Sequence, residues 1–317
     1  ASVYAKASIT DWLSVKTNFG LDFMYNRNVS TLHRDHPNAQ QNHGYYGQTS
    51  SELFRYTWTN TINVNKDFAN GHSLNAVAGM EMFQGKWYTS NFTGYDLNSD
   101  MMQSPAGIGD KSGSSLFPPS IGGGRTMSNL MSFFAQASYS IANKYNFSAS
   151  LRHDTSSKFY EDNASATFWS VGASWLISTE SWFDNAKWLN QLKLRASYGT
   201  TGNQDGVSDF GTFDGYYNSS YNGESGYSHG QLGNSELRWE TSAQTNVGLD
   251  VSVLDSRVNV TFDFYNIKTK DLYMSKNISM TSGFSSILAN AGSIVNRGVE
   301  LGVNTTCLLY TSPSPRD

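Results

Sequence analysis

Between Thr245 and Val253 the chain alternates without a break. Thr245, Val247, Leu249, Val251 and Val253 occupy one parity, and Asn246, Gly248, Asp250 and Ser252 the other. Side chains alternate across a strand, so the segment predicts a strand with one apolar and one polar face. Leu254–Asp255–Ser256–Arg257 then turns the chain. Val258, Val260, Phe262 and Phe264 alternate in their turn against Asn259, Thr261, Asp263 and Tyr265. The stretch Leu237–Asp271 reads as one long amphipathic hairpin.

The same period recurs along the chain. Ala1–Ile9 alternates like a strand. So do Leu13–Tyr25, Phe54–Val64, Leu74–Met82, Phe133–Ile141, Tyr145–Arg152, Trp169–Ile177, Leu192–Tyr198 and the segment that starts at Val299. About eleven strands are predicted, joined by connections that alternate short and long with one modest exception near Ser156–Ala164. Polar or Gly-rich stretches at Arg27–Thr49, Asp96–Thr126 and Gly202–Glu236 are the long ones, and Thr179–Asn190 is a longer member of the short set. Pro37, Pro105, Pro118 and Pro119 all fall in long loops, as expected of a residue that cannot donate to a ladder. Short turns at one end and long loops at the other are the pattern of an antiparallel up-and-down barrel.

Composition, strands often of ten or more residues and the placement of aromatics favour a membrane barrel over a soluble globule or sandwich. Aromatic residues make up 14% of the 317-residue chain and charged residues only 15%, against about a quarter in ordinary globular domains. Mean hydropathy is nevertheless negative, and no apolar run reaches the ~20 residues of a spanning helix. An all-β transmembrane barrel fits both facts, because only every second residue meets lipid. Trp12, Tyr25, Tyr88, Trp175, Trp182 and Trp188 lie near strand ends, where aromatic girdles sit. The net charge of −4 argues against a nucleic-acid partner. The single cysteine, Cys307, leaves no intrachain disulfide and no Cys-based zinc site.

The two ends read as those of a fragment. No signal peptide opens the chain, and Ala1 already stands in a strand pattern. Cys307–Asp317 reads C-L-L-Y-T-S-P-S-P-R-D, which matches the translation of a transposase sequencing adapter. The expected organisation is therefore an incomplete barrel over residues 1–306 and a non-native tail over 307–317.

Four stretches carry a family resemblance: L-K-L-R-A-S-Y-G-T-T-G-N-Q (Leu192–Gln204), L-G-N-S-E-L-R-W-E-T-S-A-Q-T-N-V-G-L-D (Leu232–Asp250), F-Y-N-I-K-T-K-D-L-Y (Phe264–Tyr273) and S-G-F-S-S-I-L-A-N-A-G-S-I-V-N-R-G-V-E-L (Ser282–Leu301). In order and spacing they resemble the barrel of SusC/RagA-type TonB-dependent outer-membrane transporters of Bacteroidetes. The resemblance implies a 22-stranded barrel in the outer membrane, an N-terminal plug and a TonB box, neither of which is in this sequence. It also implies a SusD-like surface lipoprotein partner and import of oligosaccharides or peptides driven through TonB. A non-transporting surface barrel, such as an adhesin, and an outer-membrane hydrolase are the alternatives.

Candidate chemistry is sparse. His33-Arg34-Asp35-His36 with His43 matches no metal-ligand spacing, and Asp205, Asp209 and Asp214 lack the order of an EF-hand loop. His153-Asp154 comes with no nucleophile motif such as G-x-S-x-G. No catalytic, metal or cofactor residue is assigned, and no cofactor is expected. Arg195, Glu240, Asp250, Asp263 and Glu300 fall on the polar parity and are expected to line a water-filled lumen. Trp87, Tyr88, Tyr216, Tyr217, Tyr221 and Tyr227 are candidates for stacking on a substrate such as a sugar ring.

Overall fold

A computed structural model describes residues 1–39, 42–98, 104–109, 119–183, 186 and 188–306. The tail 307–317 and parts of the Asp96–Thr126 loop lie outside the described residues. The strands are β1 (Ser2–Ser8), β2 (Leu13–Leu32), β3 (Tyr45–Phe68), β4 (His72–Tyr95), β5 (Ser120–Ile141), β6 (Tyr145–Ser156), β7 (Ser165–Leu176) and β8 (Leu189–Asn203). They continue with β9 (Gly215–Tyr221), β10 (Glu224–Gln231), β11 (Glu240–Val253), β12 (Val258–Lys270), β13 (Tyr273–Asn277), β14 (Ser286–Asn290) and β15 (Ser293–Thr305).

Eleven strands form one antiparallel sheet in the order β1-β2-β3-β4-β5-β6-β7-β8-β11-β12-β15. The remaining four make two separate hairpins, β9–β10 and β13–β14, within the loops that precede β11 and β15. Sequential neighbours pair throughout, as an up-and-down topology requires, and β1 and β15 end the order among the described residues.

The strands run further than the alternation suggests. β5 begins at Ser120, where the sequence pattern starts at Phe133, and β15 begins at Ser293. The added residues include Gly122, Gly123, Gly124, Arg125 and Asn296. Backbone ladders continue beyond the apolar belt, where neither face needs to be greasy and the period-two signal disappears.

By contact density the chain divides into two units. The first comprises Ala1–Val3, Asn18–Trp58 and Met82–Asn129. Within it Tyr46 is fully buried, stacks on Phe92 at 6.0 Å, and shares its hydroxyl with Arg27 and Gln48. The second takes in Tyr4–Thr17, Thr59–Glu81 and the chain from Leu130 onward.

In the second unit the register builds uniform rows. Trp175, Leu194, Leu249, Phe262 and Leu301 stand opposite one another across β7, β8, β11, β12 and β15. One residue along each strand, the row reads Ser174, Arg195, Gly248, Asp263 and Glu300. The apolar rows stay uncovered: Phe133, Phe147 and Leu151 are each about half exposed. An apolar sheet face of this extent is one that another apolar phase must cover. The only buried hydrophobic cluster among the described residues joins Phe159, Phe168, Val207, Leu237 and Trp239, at the long-loop end.

Candidate functional site

The polar face carries two arginine nodes. Arg195 on β8 places its guanidinium 3.0 Å from Asp250 on β11 and 2.9 Å from Asp263 on β12. Asp263 is two strands away, and the guanidinium reaches it by passing over Gly248, which faces Arg195 on one side and Asp263 on the other. A Cβ at position 248 would stand 2.5 Å from the Asp263 carboxylate and 2.6 Å from the guanidinium carbon. Glycine is thus what lets one cation serve two carboxylates. Glu300 stands opposite Asp263 on β15, and Glu240 lies on the same face and accepts from Asn203 at 3.5 Å. The five residues expected to line a lumen share one parity, and three of them form one ion-pair network.

The second node was missed in the sequence. Arg152 on β6 bonds Asp154 at 2.8 Å, Glu81 on β4 at 3.2 Å and the Ser132 hydroxyl on β5 at 2.7 Å. Its guanidinium also lies over the Phe134 ring at 5.8 Å. Glu81 and Arg152 are 71 residues apart, so only register brings them together. The same register separates His153 from Asp154. His153 points to the opposite face, where its ring pairs with Thr167 at 2.9 Å, so no His–Asp dyad forms. Beside the nodes is a concavity of about 320 Å³ on the polar face, lined by Ser148, Ser150, Ser170, Ser197, Gln244 and Asn246 among others.

The long-loop end holds a heavily bonded junction. Asn290 of β14 accepts from the Arg238 amide at 2.9 Å and donates to the carbonyls of Arg238 and Asp271, each at 2.8 Å. The Arg238 guanidinium pairs with Asp271 at 2.7 Å. Tyr273 donates its hydroxyl proton to the Asn203 carbonyl at 2.9 Å and accepts from the Glu240 amide at 3.1 Å. Burial pushes its pKa up to about 12, which keeps the donated proton in place. Asn234 donates to the Leu288 carbonyl at 2.8 Å, the Trp239 indole donates to the Ala164 carbonyl at 3.2 Å, and Ser156 donates to Gln204. Leu237 is fully buried, and Trp239 packs between Phe159 and Phe168 at 5.2 and 5.8 Å.

All four of the distinctive sequence stretches contribute to this junction: Asn203 and Gln204; Asn234, Leu237, Arg238 and Trp239; Asp271 and Tyr273; Leu288 and Asn290. Their side chains bind one another and backbone carbonyls. Their chemistry is that of a clamp, which fixes the base from which the two hairpins rise.

The aromatic candidates are spread out. In the β9–β10 register Tyr216 faces His229 and Asn218 faces Tyr227, so Tyr216 and Tyr227 share one face while Tyr217 and Tyr221 take the other. Tyr216 packs tilted against His229 at 4.4 Å, and His229 meets Phe284, in the connection between β13 and β14, at 6.0 Å. Tyr221 and Tyr227 are 88% and 80% exposed, which leaves their rings free to take a partner. Trp87 and Tyr88, adjacent on β4, belong to the first unit and are half exposed. His43 pairs with Asp96 at 3.0 Å, while Asp209 lies 4.0 Å from Lys158 and Asp214 caps the Gly233 amide at 2.9 Å. Among the described residues no three His, Cys, Asp or Glu side chains gather as a metal site.

The family model described as TonB dependent receptor-like, beta-barrel matches residues 3–312. TonB-dependent receptor P39 of Formosa agariphila is 32% identical over 308 residues, 94% of this chain and 29% of that protein. TonB-dependent receptor SusC of Bacteroides thetaiotaomicron is 35% identical over 187 residues, 56% of this chain and 19% of that protein. Among solved structures, the RagAB peptide transporter superposes with a TM-score of 0.88 at 25% identity, over 97% of this chain and 34% of that one. The chain thus spans about a third or less of the length of these relatives.

Proposed function

This chain belongs to the TonB dependent receptor-like β-barrel family, and we propose that it forms part of the wall of an outer-membrane importer for oligosaccharides or peptides. The observation that carries this reading is the register. It gives apolar rows on one face and the Arg195 and Arg152 nodes on the other, as a wall between lipid and a water-filled passage requires. The likeness to SusC and to the RagAB peptide transporter supports import of an oligomeric nutrient. It also supports dependence on TonB and a surface lipoprotein of the SusD kind that caps the long-loop end. Family members are receptors and transporters, and the side chains here supply binding and electrostatics.

The loops between β4 and β5 and between β8 and β11, which lie within Asp96–Thr126 and Gly202–Glu236, are the parts assigned to the lipoprotein. The β9–β10 hairpin within the second offers Tyr217 and Tyr221 on one face, rigid amphipathic rings with little entropy to lose. A strain lacking the parent gene is expected to lose growth on one oligomeric nutrient and keep growth on its monomer. Shortening the hairpin is expected to weaken lipoprotein co-purification and leave barrel insertion intact, since surface loops tolerate length changes. Normal growth of the deletion strain on every oligomer tested, with no lipoprotein co-purifying, would favour a non-transporting surface barrel.

A further inference from the structure

Charge is sorted by parity on the last three strands of the sheet. The carboxylates of β11, β12 and β15 are Glu240, Asp250, Asp263 and Glu300, and all four stand on the polar parity. The cations of the same strands are Lys268, Lys270 and Arg297, and all three stand on the apolar parity. Arg195 and Arg152 on the polar face each hold a carboxylate. The apolar parity of β11, β12 and β15 has no carboxylate to offer.

The register sets the three cations in sequence. Val247, Phe264 and Val299 form one apolar row across the strands. Toward the long-loop end the next rows are Thr245, Asn266 and Arg297, then Ala243, Lys268 and Val295, then Thr241, Lys270 and Ser293. Each of these rows carries one cation. Successive rows lie about 7 Å apart, two residues of strand rise. Arg297 and Lys268 are diagonal neighbours, close enough for long side chains to share one anion. All three cations are exposed, and the lysines are flanked by the small residues Thr241, Ala243 and Ser293. At the opposite end of these strands the β11–β12 turn carries Asp255 and Arg257, one of each sign. The one-sided charge is therefore confined to the long-loop side.

Like charges this close on one face repel, so the patch calls for an anion. Guanidinium and ammonium groups both bind phosphate, and their stems lie along apolar surface while the heads stay polar. Phe262, Phe264, Val299 and Leu301 on the neighbouring rows are exposed. An anion that brings its own hydrocarbon satisfies the cations and these rows together.

We propose that Lys268, Lys270 and Arg297 form a docking site for the phosphate of an anionic membrane lipid at the long-loop end, with its acyl chains along the Phe264 and Phe262 rows. The occupant is a lipid rather than a soluble anion, because the cations and the exposed apolar rows adjoin on one face. The inference rests on the membrane-wall reading above.

The test uses the full-length parent inserted in phosphatidylcholine vesicles. These hold a trace of lipid with a nitroxide on its acyl chain, either phosphatidylcholine or phosphatidic acid. The fraction of each label immobilised at the protein surface is read from its spectrum. A cation near anionic lipid is worth about fivefold in affinity, so three give on the order of a hundredfold at this site. Averaged over all the lipid contacts of the barrel, phosphatidic acid should be preferred about threefold or more. Combining Lys268→Gln, Lys270→Gln and Arg297→Gln should remove most of that preference, and immobilised phosphatidylcholine should show that the variant is still inserted. Combining Lys268→Arg, Lys270→Arg and Arg297→Lys should keep it, as should Lys276→Gln on β13. No preference in the parent, or the same preference in the triple glutamine variant, overturns the site. A comparable loss on Lys276→Gln overturns it too, since net charge alone would then be sensed. Loss of the preference in inorganic phosphate at constant ionic strength overturns the lipid assignment in favour of a free anion. No lipid preference, with weakened lipoprotein co-purification in the triple variant, overturns it in favour of a protein. Immobilisation of neither label would instead sink the membrane-wall reading itself.

Discussion

Gly248 decides whether the polar face is a set of isolated charges or a network. Arg195 crosses above it to reach Asp263 while keeping Asp250, and any side chain at 248 occupies the path. Gly248→Val is expected to cost about 1–3 kcal/mol, the value of charge-assisted hydrogen bonds lost from one cation. It should cost much less in an Arg195→Met background, since both changes remove the same contact. Denaturant unfolding of the four variants of the parent barrel checks this, and full additivity would mean the network contributes nothing. Tyr273→Phe tests the loop junction. It leaves the Asn203 carbonyl and the Glu240 amide without their partner, so it should cost a similar ~1–3 kcal/mol. Hydrogen exchange should rise at Glu240 and across the β13–β14 hairpin and stay unchanged at the short-turn end.

At the scale of the element, alternation was legible wherever one face is greasy. The β11–β12 hairpin, its turn and the parity of Arg195, Glu240, Asp250, Asp263 and Glu300 all follow from the sequence. Where a strand leaves the apolar belt, as in Ser120–Ser132 of β5, pairing persists but the pattern does not, and strand length was underestimated. The Arg152 node was illegible for another reason. Its partners lie on three strands, and no local spacing encodes register. The clamp was visible only as distinctive residues, not as contacts. Leu249→Arg on the apolar row is expected to cost ~2–4 kcal/mol if the residue lies near the bilayer midplane. Asp250→Asn should cost less. Folding assays into vesicles check the order, and equal defects would contradict a wall.

The β7–β8 connection carries a pH dependence of its own. The Tyr145 hydroxyl, then the Trp175 indole and Lys144, hold the Glu180 carboxyl below the usual glutamate range. A depressed carboxylate stabilises the fold above its unfolded pKa, and that contribution is lost as pH falls through the folded value. Acidification below the ordinary glutamate range should therefore loosen the segment, read as increased mobility of a nitroxide label at Trp182→Cys. In Glu180→Gln the mobility should be high and flat with pH.

For the whole molecule, the sheet of eleven strands in sequential order and the rows of opposite character on its two faces describe one object. Its apolar face suits hydrocarbon and its polar face water, as the proposed membrane wall requires. The family assignment agrees with it. The loop junction sets the hairpins at the long-loop end, the aromatic rim marks the short-turn end, and the arginine nodes lie on the polar face of the strands between. The proposed import rests on this two-faced arrangement more than on any single residue. The measurement that tests it most directly is a cysteine scan of Thr245–Val253 in the parent protein, embedded in native outer membranes. Cysteines at 245, 247, 249, 251 and 253 should resist a water-soluble maleimide and react with a lipid-soluble one. Cysteines at 246, 250 and 252 should show the reverse. A scan without period two, or one in which both parities react equally with the water-soluble reagent, would contradict the account.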